Sequence, residues 1–291
     1  MDTAALEAFV AVAEEGSFTA ASDRLHLTQP AVSKRIALLE SELGSTLFDR
    51  TGRRTRLTEA GRALVPGARN ILRAIDDTRR TVENLSGQIS GRLSLATSHH
   101  IGLHHLPGVL REYASRYPEV RLDPHFLDSE AACRSVRKGD SELAIVTLPP
   151  TPLPPLEERL VWNDPLELVI AAHDAPPSLE VRDIPETLRN LRAVLPAETT
   201  FTRSVISAGL EEIGFSPGEV LETNNLETIK MLVAIGFGWS VLPRTMIDES
   251  LRVIDTGEVR MLRRLGVIVH ANRTLGNAAG AMLNLLDANP R

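Results

Sequence analysis

Phe18 to Leu43, FTAASDRLHLTQPAVSKRIALLESEL, restricts the fold more than any other stretch of the chain. It reads as two short helices joined by a tight turn. Ser17, following Gly16, supplies an oxygen that can cap free backbone N–H groups where the first helix begins, and Ala20, Ala21 and Leu25 form that helix's apolar face. His26 and Leu27 make the turn. Thr28 stands where an N-cap belongs, and Pro30 falls in the first turn of the second helix, where its missing N–H costs nothing. Val32, Ile36, Leu39 and Leu43 recur at helical spacing and are expected to face inward, and Gly44 follows as a stop. The outward face carries Gln29, Ser33, Lys34 and Arg35. Gln suits adenine, Arg and Lys suit guanine, and Ser suits a base or a phosphate. Helix-turn-helix readers present this part of their second helix to the major groove. Read alone, the stretch also fits an ordinary helical hairpin with a solvated polar face.

The flanks favour the first reading. Thr3 to Glu15 is a helix whose stripe of Leu6, Phe9, Val10 and Ala13 can brace the pair. After Gly44, Leu47, Phe48 and Leu57 anchor a small β-hairpin with its turn at Thr51 and Gly52. Arg50, Arg53, Arg54 and Arg56 crowd that turn, a positive tip suited to phosphates or a narrow minor groove. One long helix then runs from Thr58 to about Ser86. Its residues Leu64, Ala68, Ile71, Ile75, Thr78, Val82 and Leu85 alternate at spacings of four and three, a heptad seam that calls for a partner helix. A homodimer through this helix is expected; the alternative is that the stripe packs on the chain's own second domain. Pro66 is expected to bend or break the helix near its start.

The formal net charge of −6 over 291 residues excludes a generally basic nucleic-acid coat, so DNA contact must come from a local cluster. A single cysteine, Cys133, permits no disulfide within a chain and is expected to be a small buried residue. The first residues lack a basic leader, Glu7, Glu14 and Glu15 interrupt the apolar run, and Met231 to Pro243 is too short to span a bilayer. A cytoplasmic protein with no membrane partner is the expectation.

The pattern FVAVAEEGSFTAASDRLHLTQPAVSKRIALLESELGSTLFDRTGRRTRLTEAG resembles the N-terminal domain of LysR-type transcriptional regulators across its whole length. The resemblance implies a winged helix-turn-helix, a dimerising linker helix and a C-terminal effector-binding domain in two α/β subdomains like periplasmic binding proteins. It places recurring DNA contacts on Gln29, Pro30, Ser33 and Lys34, with wing support at Arg53. Lys34 stands where an arginine is often found, which keeps a phosphate contact but loses the bidentate fork. Together the candidate DNA contacts are Ser17, Thr19, Thr28, Gln29, Pro30, Ser33, Lys34, Arg35, Arg50, Arg53 and Arg54. The partners implied are double-stranded promoter DNA, a small anionic effector, further copies of the chain in a homodimer and homotetramer, and RNA polymerase for an activator.

From Gly87 the texture becomes that of a mixed α/β domain. Strands are expected at Arg92–Thr97, Val120–Phe126, Glu142–Leu148, Leu160–Trp162, Pro165–Ala172, Ala193–Ala197, Val220–Thr223, Trp239–Pro243 and Gly266–Ala271. Helices are expected at His99–Tyr117, Ser129–Lys138, Thr202–Ile213, Leu226–Ile235 and Leu275–Ala288. Such alternation means parallel sheet with crossover helices. The expected domains are residues 1–58, 59–90 and 91–291. The last divides into 91–162 with 268–291 and 165–265, crossing near Asn163–Pro165 and Leu265–Ile268.

Ligands of open α/β sheets sit beyond the carboxyl ends of strands, often at helix starts. That rule selects Thr97, Ser98, His99, His100 and Thr147 on one side and Thr199, Thr200, Phe201, Thr202 and Arg203 on the other. Phe201 is expected to wall the cleft and Arg203 to lend charge, although Ser and Thr at helix starts cap in any protein. His99, His100, His104 and His105 cluster, with His100 and His104 on one helical face, but no acid or cysteine completes a site nearby, although His125 or Asp128 could approach. No metal and no cofactor other than an unidentified effector is expected, and one or two of these histidines would bond it. Enzyme signatures are missing: there is no nucleophile elbow, phosphate-cradling glycine loop or helical zinc pair with glutamate. A solute-binding protein is disfavoured by the DNA-like head.

Overall fold

The computed structural model describes residues 1–49, 55–174, 184–189 and 191–288. The chain divides into two units, Met1–Ser86 and Gly87–Arg291.

The first unit comprises α1 (Thr3–Glu15), α2 (Phe18–Leu25), α3 (Gln29–Leu43), β1 (Phe48–Asp49) paired antiparallel with β2 (Arg56–Leu57), and α4 (Glu59–Asn84). Polar side chains start the helices. Ser17 Oγ accepts from Ala20 N, Thr28 Oγ1 from Ala31 N and Thr58 Oγ1 from Gly61 N. Gly44, at φ 64°, turns the chain out of α3, and His26, at φ 53°, makes the same left-handed turn after α2. For a residue with a Cβ that turn costs about 1 kcal/mol. Leu6, Phe9 and Val12 of α1 pack with Ala21, Val32, Ile36, Leu39, Leu47 and Phe48, and Phe48 lies 5.5 and 5.7 Å from the rings of Phe9 and Phe18. Glu40 ties the end of α3 to the hairpin by accepting from the Leu47 and Phe48 amides at 2.7 and 3.3 Å.

An inward Leu43 and a break at Pro66 are not found here. Leu43 is 39% exposed, because the last turn of α3 extends past the cluster that holds Val32, Ile36 and Leu39. Pro66 leaves α4 unbroken over 26 residues. The seam of α4 divides: Leu64 and Ala68 pack into the head cluster, whereas Ile71, Val82 and Leu85 are exposed. The expected turn at Thr51 and Gly52, with Arg50, Arg53 and Arg54, lies outside the described residues.

The second unit begins with β3 (Gly91–Thr97), α5 (His99–His104), α6 (Leu106–Arg116), β4 (Val120–Phe126), α7 (Ser129–Lys138), β5 (Leu143–Thr147) and β6 (Leu156–Ala171). It continues through α8 (Ile184–Arg189), β7 (Ala193–Leu195), α9 (Phe201–Glu212), β8 (Val220–Glu222), α10 (Leu226–Ala234) and β9 (Trp239–Pro243). Last come β10 (Leu251–Ile254), β11 (Met261–His270) and α11 (Asn277–Ala288). The strands join in the order β4-β3-β5-β11-β6-β9-β7-β8, with β10 also against β6. Pairing is parallel within β4-β3-β5 and within β9-β7-β8, and antiparallel wherever β6 or β11 takes part. Those two long strands run side by side through the whole unit.

Strand alternation divides the apolar residues between two faces. Leu143 and Ile145 face α5, α6 and α11, where Leu106, Tyr113 and Met282 pack; Ala144 and Val146 face Ala132, Cys133 and Val136 of α7. Around β9, Trp239 and Val241 meet Ile206 and Leu210 of α9, while Leu242 meets Ile229 and Val233 of α10.

Several element boundaries differ from the expectation. His99–Tyr117 is two helices, since Pro107 begins a new one and His105 lies between them. Asn163–Pro165 is no break: β6 runs through it because Asp164 is held by Arg263 of β11. The last strand starts at Met261, five residues before Gly266, and α8 and β10 were not expected. At Gly266 the register of β11 against β6 shifts, and a Cβ there would stand 2.1 Å from the Arg159 carbonyl oxygen, so only glycine fits. Among the described residues, no helix is long and apolar enough to cross a membrane.

Candidate functional site

The candidate residues fall on two surfaces, one in each unit. In the head, Gln29, Pro30 and Lys34 are exposed along the first two turns of α3, with Ser33 and Arg35 half-buried beside them. Gln29 Nε2 donates to Ser33 Oγ at 3.5 Å, which sets the two polar groups on one line. Thr19 and Thr28 are exposed as well, and the hydroxyl of Thr28 caps α3. Ser17 is half-buried with its oxygen engaged as the cap of α2. Arg50, Arg53 and Arg54 lie outside the described residues.

In the second unit, a cleft lies between β3-β5 with α5 and α7 on one side and β7 with α9 and α10 on the other. It is lined by Ser98, His99, His100, Thr147, Thr200 and Thr202 among the expected residues, and by Asp128, Ser129, Glu130, Pro196, Asn224, Leu226 and Arg263 in addition. Four expected residues do not line it. Thr97 is buried and donates its hydroxyl to the Ile145 carbonyl at 2.8 Å. Thr199 is exposed in the turn before α9. Phe201 turns its ring onto the apolar cluster around α7 and brings only its backbone to the cleft side. Arg203 is buried away from it, donating to the Pro196 carbonyl at 2.9 Å and lying 3.7 Å from Glu222.

Arg263, rather than Arg203, is the arginine that lines the cleft. Its guanidinium is 3% exposed and pairs through Nε and Nη2 with Asp164 Oδ2, itself 1% exposed, and reaches Thr202 Oγ1 at 3.3 Å. Burial pulls the Arg263 proton affinity down, and the Asp164 carboxylate opposes that pull. His100 stands beside this pair with both ring nitrogens buried and without hydrogen-bond partners; burial and the Arg263 charge push its pKa down to about 2, so it is neutral. Sequence alternation carried a signal for Arg263, because Met261, Arg263 and Leu265 fall on the buried side of β11. The strand-end rule, applied to β4 as well, also reaches Asp128, Ser129 and Glu130.

Contacts between described residues cross the cleft. Phe201 N donates to Glu130 Oε1 at 2.6 Å, Asn224 Nδ2 donates to Asp128 Oδ2 at 2.8 Å, and His104 Nε2 lies 2.8 Å from Glu227 Oε1. The cleft between the walls is partly open to solvent, with a cavity volume of about 50 Å³.

A winged helix-turn-helix head, a long helix with an exposed apolar seam and a cleft-bearing α/β unit together define a ligand-responsive DNA-binding regulator. Residues 3–62 match the bacterial regulatory helix-turn-helix proteins of the lysR family, and residues 86–290 match the LysR substrate binding domain. The chain belongs to the LysR family of DNA-binding transcriptional regulators, which carry an effector-binding domain and are not enzymes. It is 31% identical over 286 residues to an uncharacterized HTH-type transcriptional regulator, YfeR, of Shigella flexneri, covering 97% of this chain and 92% of the relative. It is 68% identical over 107 residues to an uncharacterized HTH-type transcriptional regulator of Azotobacter vinelandii, covering 37% of this chain and 74% of the relative. A full-length OxyR variant of Pseudomonas aeruginosa shares the fold with a TM-score of 0.71 at 22% identity, covering 99% of this chain and 94% of that one. CbnR, a LysR family regulator, does so with a TM-score of 0.66 at 21% identity over 100% of both chains, and a CbnR structure in complex with target DNA matches with a TM-score of 0.65 at 22% identity, covering 99% of both.

Proposed function

We propose that this regulator works in the cytoplasm as a homodimer joined along α4, paired further into a homotetramer, and reads promoter DNA with the outward face of α3. In this reading residues 1–58 are the head, 59–90 the dimerising helix and joint, and 91–291 the effector domain. The halves of that domain, 91–162 with 268–291 and 165–265, meet at β6 and β11. Gln29 and Ser33 reach base edges and Lys34 and Arg35 the adjoining phosphates, while the arginines at 50, 53 and 54 extend the grip along the backbone. Ser17, Thr19, Thr28 and Pro30 position the chain against the duplex. RNA polymerase is the further partner wherever the regulator activates.

The effector is a small anion. One observation carries this: a carboxylate, that of Glu130, already sits on the amide that opens α9, where backbone N–H groups and the helix dipole favour negative charge. A space of about 50 Å³ holds a few waters, so an organic effector enters by displacing Glu130 and parting the walls. Its carboxylate then takes the α9 amide, with Ser98, Thr147, Thr202 and Arg263 around it. A ligand shifts the arrangement of the two halves only by binding one arrangement better than the other, and that difference is passed to the paired heads.

Thermal-shift screening with small carboxylates and, in parallel, small amines tests the reading. Stabilisation by a carboxylate that is lost in Thr202→Val supports it. Stabilisation by amines alone, or by a carboxylate equally in Thr202→Val, overturns it.

A further inference from the structure

The histidines of α5 belong to a cluster that the effector reading leaves largely unused. His100 and His104 stand one helical turn apart with ring centroids 4.7 Å apart. Glu227, in the first turn of α10, comes from the other wall of the cleft and brings Oε1 to 2.8 Å from His104 Nε2. One ligand atom from each of His100, His104 and Glu227 lies within 4.8 Å of the others. His100 is 4% exposed, yet neither of its ring nitrogens has a hydrogen-bond partner. Burying such a group unbonded is costly, and a satisfied alternative is expected.

We propose that His100, His104 and Glu227 bind a divalent transition ion of the zinc type, which fastens α5 on one side of the cleft to α10 on the other. Two imidazoles and one carboxylate are a donor set that zinc takes with a fourth position left open. With zinc-to-ligand bonds of about 2.1 Å, tetrahedral donors stand about 3.4 Å apart, inside the present spread and reachable by small side-chain rotations. Imidazole donors select zinc, nickel or copper over magnesium and calcium. A second set, His100, His105 and Asp164, also lies within 4.8 Å, but the Asp164 carboxylate is already committed to the Arg263 guanidinium. His104 and Glu227 are half-exposed at the cleft rim, so an ion has a way in. Because the site draws one ligand from the far wall, the ion favours the closed arrangement and acts as a second signal beside the organic effector.

The test uses the full chain without a histidine tag, stripped with chelator. Calorimetric titration with Zn²⁺ is expected to show one saturable ion per chain and a raised melting temperature, and Mg²⁺ to show neither. Cu²⁺ is expected to quench Trp162, whose ring lies 5.2 Å from that of His105 beside the site. His104→Ala and Glu227→Gln, both at the rim and compatible with folding, should each weaken Zn²⁺ binding at least about tenfold. His125→Ala, exposed and bonded to Asp123, should leave it unchanged. No saturable Zn²⁺ binding, binding unaltered by His104→Ala or Glu227→Gln, or Mg²⁺ binding of equal strength would each overturn the proposal.

Discussion

The two units build their working surfaces in opposite ways. The outward face of α3 comes from consecutive turns of one helix, solvated, over a core that does not involve its polar groups. The cleft draws on strand ends and helix starts spread from Ser98 to Arg263, and at its floor an ion pair between residues 99 apart is almost fully buried. The first arrangement lets function change without touching stability. The second couples them: the arginine that lines the cleft also holds β6 and β11 together.

The sharpest way to break this contrast is Arg263→Ala. It leaves Asp164 charged, buried and without its guanidinium, a change that costs about 3–5 kcal/mol. Urea unfolding of the full chain should show the loss in the second unit with the head's transition in place. The double change Arg263→Met with Asp164→Leu should recover most of it, since the pair's attraction is largely offset by desolvation. Equal stability of Arg263→Ala and the unaltered chain would remove the coupling.

A smaller effect sharpens the head. Glu14 of α1 accepts from Arg24 of α2 and Arg69 of α4, binding three helices. Burial pushes its carboxyl up, but the two arginines together outweigh burial and hold it below the ordinary carboxylate range. A lowered folded pKa means that the contribution is present above the ordinary carboxylate range and is lost as pH falls through the folded value. Glu14→Gln should cost about 1 kcal/mol at pH 7, the guanidinium of Arg24 being well exposed, and less as the pH is lowered, read by denaturant titration at several pH values. A cost that grows on acidification would contradict the assignment. The smallest effect is on Cys133. Burial first, then the Glu130 charge, push its thiol up to about 11, so a thiol reagent at about pH 7.5 should label it only after denaturation. Fast labelling of the native chain would show the cleft wall to be open.

The same contrast explains what could be read from the residues. Caps, turn and core of the head are local signals: Ser17, Thr28 and Gly44 each act on their own helix end, and all three stand where their chemistry put them. Leu43 misled because helical spacing alone does not say where the neighbouring helix stops. In the second unit, Asn163-Asp164-Pro165 has the composition of a turn, yet a buried partner from β11 carries the strand through it. Arg203 and Arg263 are indistinguishable by type; alternation along β11 marks the second as buried, but its pairing with Asp164 of β6, which sets it at the cleft, and the bond of Arg203 to the Pro196 carbonyl are long-range or local contacts that spacing does not give. Glu227 is 123 residues from His104, a pairing that no spacing rule reaches.

Binding of DNA by the outward face of α3 is the claim on which the rest depends. Genomic fragments captured by the unaltered chain give both a selected site and unselected sequence of equal length. Fluorescence anisotropy on both should show Gln29→Ala with Ser33→Ala losing about 1–3 kcal/mol of affinity for the selected site alone, with melting temperature unchanged. Affinity for the selected site that survives both substitutions, or falls equally on both DNAs, would contradict it.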